Sequence, residues 1–177
     1  VTEKLINFAN FLVGRFRGGL AYVNIVASLI FAGITGAAVA DVSALGTIFI
    51  PSMEKDGYTR GYAAAVTAAS SIIGPIIPPS IVMVVYGAIT NTSVAALFAG
   101  AIIPGVLIGV IQMGVVFIQA RRRNFPQEQI DFTPKKFFLS FRAAVLALIM
   151  PLIILGGILF GITTPTEAAA IAALYAF

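Results

Sequence analysis

Residues 61–120 contain no Asp, Glu, Lys or Arg. A membrane crossing needs about 20 apolar residues, so this one stretch has room for two or more crossings. A second charge-free stretch runs from Ala143 to Thr166 and ends at Glu167. Over all 177 residues, 59% are hydrophobic and 10% are charged, with a mean hydropathy of +1.02. Soluble domains carry about 25% charged residues, and so little charge cannot cover a folded protein in water. The competing account is the buried core of a large soluble enzyme. The expected fold is an all-α polytopic membrane protein.

The sequence has no cysteine and no histidine. Thiolate metal sites, disulfides, zinc chemistry and histidine base catalysis therefore have no source. The start does not read as a signal peptide, because Glu3, Lys4, Asn7 and Asn10 interrupt what would be its apolar core. The first residue is not methionine, and AAAIAALYAF stops in mid-pattern. The expectation is a part of a longer protein.

Seven segments follow from the pattern. Residues 1–19 read as an amphipathic helix that is interfacial or closes a preceding element, with Gly18–Gly19 as a turn. Residues 20–57 hold two apolar runs, each too short to span, separated by GITGAAVAD at Gly33 to Asp41. Residues 58–92 are a discontinuous helix. Its centre, GPIIPPS at Gly74 to Ser80, has prolines that cannot continue a helix. Residues 93–120 form a full span with a kink expected at Pro104–Gly105. Residues 121–142 are a polar connector with RRR and Lys135–Lys136, and Thr133–Pro134 as a helix start. Residues 143–162 are another span. At 163–177 a new helix opens with Thr164 as cap, Pro165 in the first turn and Glu167 at the positive end.

Lys and Arg prefer the cytoplasmic side. All eleven fall into clusters at Lys4, Arg15 and Arg17; Lys55 and Arg60; Arg121 to Arg123; and Lys135, Lys136 and Arg142. With Arg121–Arg123 in the cytoplasm, residues 94–120 run from outside to inside and residues 58–90 from inside to outside. Residues 20–53 then start and end inside, as a re-entrant hairpin with GITGAAVAD at its tip. The alternative is one broken span, which puts Arg121–Arg123 opposite Arg15 and Arg17.

Irregular backbone at membrane depth is tolerated only against protein or a water-filled cavity. Secondary transporters use it: unwound carbonyls meet a cation, and half-helix N-termini meet an anion. In the first break Thr35 offers a hydroxyl, while Gly33 and Gly36 permit open backbone. Asp41 is the only charged residue between Arg17 and Glu54. An intramembrane carboxylate is a functional candidate by default. Two readings stay open for Asp41: a cap for the following helix, or a role in coupling or cation electrostatics. In the second break Gly74, Ile76, Ile77 and the prolines present carbonyls. Thr67, Ser70 and Ser71 line the preceding helix, and Ser71 is equally able to bond back to its own helix. Gly61, Ala63, Ala64, Ala65, Ala68 and Ala69 permit close helix packing. Oxygen-only donors of this kind suit sodium.

Three strings carry a resemblance. They are GGLAYVNIVASLIFAGITGAAVADVSALGTIFIPSMEKDGY, AAAVTAASSIIGPIIPPSIVMVVYG and GITTPTEAAAIAALYAF. Across essentially its whole length the chain resembles the N-terminal half of the large membrane subunit of tripartite ATP-independent periplasmic (TRAP) transporters. The resemblance implies a sodium-driven secondary transporter of the bacterial inner membrane for organic acids such as C4-dicarboxylates or sialic acids. It implies inverted repeats, each with a hairpin and a discontinuous helix, moving as an elevator. The implied partners are a periplasmic binding protein and a small four-helix membrane subunit, separate or fused; lipid surrounds the protein, and no nucleic acid is involved. No organic cofactor is implied. The family's first sodium site falls on Thr35 and Ala37 with backbone around Gly74, Ile77 and Pro79. Gly36, Asp41, Thr67, Ser70 and Ser71 remain candidates for substrate or coupling. The family usually reads GISGSAVAD where this chain reads GITGAAVAD, so Ala37 has only its carbonyl to give. The second repeat falls beyond the chain.

Two other classes compete. A channel or scaffold subunit without coupled transport also uses proline-broken helices, although nothing here repeats as a filter. A membrane enzyme is disfavoured, because Asp41 and Glu167 have no nucleophile–base pair beside them.

Overall fold

A computed structural model describes the backbone of residues 2–123, 125 and 134–176, and the side chains of residues 5–6, 8–123, 125, 141–142, 145 and 148–175. The expectations for residues 126–133, including Thr133 as a helix start, lie outside the described residues. Eight helices are described: α1 (Thr2–Val13), α2 (Gly19–Thr35), α3 (Ala38–Lys55), α4 (Arg60–Ser71), α5 (Ile81–Thr90), α6 (Val94–Arg122), α7 (Pro134–Leu159) and α8 (Pro165–Ala176).

The longest helix organises the others. α6 has 29 residues, about 43 Å at 1.5 Å per residue. Among the described residues it is the one helix both long and apolar enough to cross a membrane. It runs through Pro104 without interruption. Its outer face leaves Ile103, Val106, Leu107, Val110 and Ile111 exposed, an apolar stripe suited to lipid or to further protein.

α4 and α5, of 12 and 10 residues, run antiparallel to α6 as one interrupted element. Leu97 lies against Gly87, and the Ile77 side chain sits directly on Gly105. Further along, Gln112 reaches the Ala69 carbonyl, and Gln119 shares a groove with Tyr62. Two helices too short to span alone thus cover, with the break between them, the length that α6 covers unbroken.

α2 and α3 form a helical hairpin beside this pair. A Cβ added at Gly18 would lie 3.0 Å from Ala120 Cβ, and Leu29 packs on Gly109, so α2 rises antiparallel to α6 from its C-terminal end. α3 returns to that end. Met53 approaches Asn24, and Tyr58, just after α3, packs on Phe125 with ring centroids 4.6 Å apart. Both feet of the hairpin therefore stand at the level of Arg121–Arg123, and the tip reaches the middle of α6. Ile25, Leu45, Phe49, Met53 and Ile73 fill the interior between α2, α3 and α4.

Two buried hydrogen bonds join α2 to α4. Asn24 Nδ2 donates to Thr67 Oγ1 at 2.7 Å, and Ser28 Oγ to Ser70 Oγ at 2.8 Å. In an apolar surrounding such pairs hold helices in register, because each separated partner would stay unsatisfied. α7 packs Pro151 against Gly33 and joins Ile158 to Phe98 and Ala168. α1 packs on α2 and α7. α8 opens with a reciprocal cap: Glu167 accepts from the Thr164 N–H at 2.8 Å, and Thr164 Oγ1 accepts from the Glu167 N–H at 3.3 Å.

Candidate functional site at the meeting of two helix breaks

The hairpin tip is opened by one residue. Gly36 has φ 59°, a left-handed conformation that glycine adopts without Cβ strain, and its N–H closes α2 onto Ala32 O. Ala37 is extended, and α3 starts at Ala38 with no side-chain cap. Asp41 is therefore in the first turn of α3 and is not its N-cap. Its own N–H donates to Ala37 O at 3.2 Å. Its carboxylate turns back to the tip, where Oδ1 accepts from the Thr35 hydroxyl. Asp41 is fully buried, and among the described residues Oδ2 has no hydrogen-bond partner. The positive end of α3 favours this charge.

The second break is opened by prolines. Pro75 has no N–H to give Ser71 O, so the chain tightens: Ile73 bonds to Ser70 O at 3.1 Å and Gly74 to Ser71 O at 3.0 Å. Ser80 ends the break. Its hydroxyl donates to Pro75 O at 2.7 Å and accepts from the Met83 N–H at 3.3 Å, capping α5. Between these ends, the carbonyls of Gly74, Ile76, Ile77, Pro78 and Pro79 accept no backbone hydrogen bond among the described residues, and neither do those of Thr35 and Gly36.

The fold brings the two breaks together. A Cβ added at Gly36 would lie 2.6 Å from Pro79 O and 3.2 Å from the Ile81 nitrogen. One added at Gly74 would lie 2.6 Å from Asp41 Oδ2 and 3.2 Å from both the Ala37 carbonyl carbon and Ser71 O. The lack of a Cβ thus permits the close approach at both contacts, against backbone at Gly36 and first against the end of the Asp41 side chain at Gly74. Thr35, Gly36, Ala37 and Asp41 from the hairpin meet Ser71, Gly74 and Pro79 from the broken helix. Among the described residues, the polar atoms in this set that lack a partner are oxygens, apart from the Ala37 N–H. The orphan Asp41 Oδ2 and the unpaired carbonyls match what a hard monovalent cation needs. Among the described residues no His, Cys, Asp or Glu cluster offers a softer or more highly charged metal site.

The other candidates stand apart from this meeting point. Ile77 directs its side chain to Gly105 on α6, leaving only its carbonyl for the break. Thr67 and Ser70 are bound to Asn24 and Ser28, and the hydroxyls of Ser70 and Ser71 both reach Thr67 O, at 3.1 and 2.8 Å. Their side chains bind α4 to itself and to α2. A cavity of about 370 Å³ adjoins the site, bordered by Thr35, Pro79, Ser80, Phe98, Ile158 and Thr166. Sequence reasoning passes over Asn24, Ser28 and Gln112. The signal for each is a polar side chain in a run otherwise free of charge.

The sequence profile of the family described as "Tripartite ATP-independent periplasmic transporter, DctM component" matches residues 1–177. The chain is 43% identical over 175 residues to the sialic acid TRAP transporter permease protein SiaT of Haemophilus influenzae, covering 99% of this chain and 28% of that protein. It is 44% identical to the sialic acid TRAP transporter large permease protein SiaM of Vibrio cholerae, covering 99% of this chain and 41% of that one. It is 45% identical over 177 residues to the C4-dicarboxylate TRAP transporter large permease protein DctM of Vibrio cholerae, covering 100% of this chain and 39% of that protein. The chain therefore spans well under half the length of these relatives.

Proposed function

The chain belongs to the DctM component family of tripartite ATP-independent periplasmic transporters, and from that premise we propose that it forms the first half of a sodium-coupled symporter for an organic acid anion. The family has an all-α membrane fold and consists of transport proteins, not enzymes.

The observation that carries the reading is the meeting of the two breaks. Seven backbone carbonyls without backbone partners belong to the tip and the break, and the tip adds a buried carboxylate oxygen that is likewise unpaired. No Lys or Arg occurs in residues 18–54 or 61–120 to neutralise them. At membrane depth such oxygens need a partner, and a sodium ion drawn from its gradient supplies one. Thr35, Asp41 and backbone carbonyls of the tip and break would hold the ion. Ala37 contributes no hydroxyl, so the Asp41 charge and the Thr35 hydroxyl carry the side-chain share. The uncapped start of α3 offers backbone N–H groups on the exposed side of the tip, where an organic carboxylate would be drawn.

The hairpin feet and the C-terminal end of α6 lie at the cytoplasmic face of the bacterial inner membrane, following their arginines. The hairpin is then re-entrant and α4–break–α5 is a crossing. A second, inverted repeat supplies the matching hairpin, and the two move together as an elevator. The substrate, a C4-dicarboxylate, a sialic acid or a similar acid, arrives from a periplasmic binding protein. A small four-helix membrane subunit, separate or fused, completes the assembly.

The test is uptake into proteoliposomes holding the full-length protein with its membrane and binding partners. Uptake is expected to require an inward sodium gradient. Uptake unchanged when potassium replaces sodium overturns the proposal.

A further inference from the structure

The end of α4 leaves one carbonyl to be accounted for. In a regular α-helix the Ile73 N–H would donate to Ala69 O. Here it donates to Ser70 O instead, because the chain tightens ahead of Pro75. Ala69 O accepts from Gln112 Nε2 at 2.8 Å, across 43 residues of sequence and from a different helix. Only the amino group of a carboxamide can face a carbonyl, so this bond fixes which way the Gln112 amide points. The groove around Gln112 is lined by no charged residue, and Tyr62 is the one titratable group on its walls. A carboxamide within so apolar a helix is held there by its bond across to the neighbouring helix.

Ala69 lies two residues before Ser71, whose carbonyl faces the Gly74–Asp41 contact. α2 already holds this stretch of α4 through Asn24–Thr67 and Ser28–Ser70. The bond from α6 acts on the last turn itself, where helical hydrogen bonding gives out.

We propose that Gln112 is a positioning residue for the cation site: from α6 it takes the carbonyl that α4 leaves free at its break, and so fixes the backbone of Ser71 and Gly74 against Asp41. The inference rests on the reading of tip and break as a sodium site. Gln112 touches neither ion nor substrate and acts through α4.

The test uses the full-length transporter with its partners in proteoliposomes, comparing wild type, Gln112→Leu and Gln112→Glu. Leucine removes the donor. The sodium concentration for half-maximal uptake is expected to rise about tenfold, the scale of one lost hydrogen bond. The apparent substrate KM at saturating sodium stays unchanged. A general folding defect would instead lower the maximal rate and leave sodium half-saturation alone. Glutamate keeps the shape but donates only when protonated. Sodium half-saturation relative to wild type is therefore expected closer to unity at about pH 5.5, where more of the acid form is present, than at about pH 8. A sodium-dependent wild type beside an unchanged sodium response in Gln112→Leu overturns the role of Gln112 alone. If the leucine variant fails to insert, a pH-independent ratio for Gln112→Glu overturns it. A wild type indifferent to sodium overturns the reading of the site, and this inference with it.

Discussion

The two helix breaks, at Gly36–Ala37 and at residues 72–80, open the backbone by opposite means. The first takes a single left-handed glycine, and its following helix starts with no side-chain cap. The second takes three prolines, and Ser80 caps the helix after it. At the first, Thr35 and Asp41 place side-chain oxygens at the site; at the second, only backbone atoms face it. The hairpin thus carries the part of the site that substitution can alter chemically. The proline segment carries a part that depends on chain geometry alone.

The sharpest way to break this contrast is Asp41→Asn, which keeps the shape and removes the charge. Sodium-dependent uptake is expected to fall about 100-fold, equivalent to about 2.7 kcal/mol, within the range for a bond to a charged group. Wild-type sodium dependence in this variant would mean that the hairpin, like the proline segment, gives only backbone. A second comparison sets Gly36→Ala against Gly74→Ala. The added methyl at position 36 meets the backbone oxygen of Pro79 at a φ of +59°, whereas the one at 74 meets first the end of the Asp41 side chain. Backbone cannot turn aside as a carboxylate can. Gly36→Ala is expected to cost about 2–4 kcal/mol and Gly74→Ala about 1–2 kcal/mol, read from unfolding in detergent. Equal losses would show that both contacts are equally rigid.

Smaller effects sharpen the division of labour. Thr35→Val should raise sodium half-saturation about tenfold, while Thr35→Ser stays near wild type. An unchanged valine variant takes Thr35 out of the site. Ser80→Ala should cost about 1 kcal/mol of stability as a lost cap. It should leave sodium half-saturation within about twofold, since the Ser80 hydroxyl is spent on Pro75 O within the break. A larger shift in sodium response would give the second break a side-chain role after all.

Both breaks are legible in the sequence because Gly36 and the prolines at 75, 78 and 79 act on their own backbone, and such local signals need no tertiary knowledge. That Gly36 would face Pro79 is a long-range relation, which the residues alone do not carry and the family resemblance supplies. The place of Asp41 is less accessible. A polar residue is the usual mark of a helix start, so a cap is one of the two readings the sequence leaves open for Asp41; the helix begins at Ala38 behind an alanine that caps nothing, which removes that one. The bonds from Asn24, Ser28 and Gln112 leave no periodic trace either. Their partners lie 42 or 43 residues away, and each donor sits in a run that reads as plain apolar helix.

The alignment of α4, the break and α5 along α6 also limits how this sequence can change length. Gly105 must receive Ile77, and Gln112, seven positions on, must receive Ala69. One residue inserted between them turns the far half of α6 by about 100° and slides it by about 1.5 Å. No single rotation of the helix then restores both contacts. Insertions and deletions should accordingly be excluded between Gly105 and Gln112, while substitutions on the outer face of the same two turns remain free. α6 serves as a graduated rule against which the broken helix is measured, and its spacing is as much a part of the site as the oxygens it never touches.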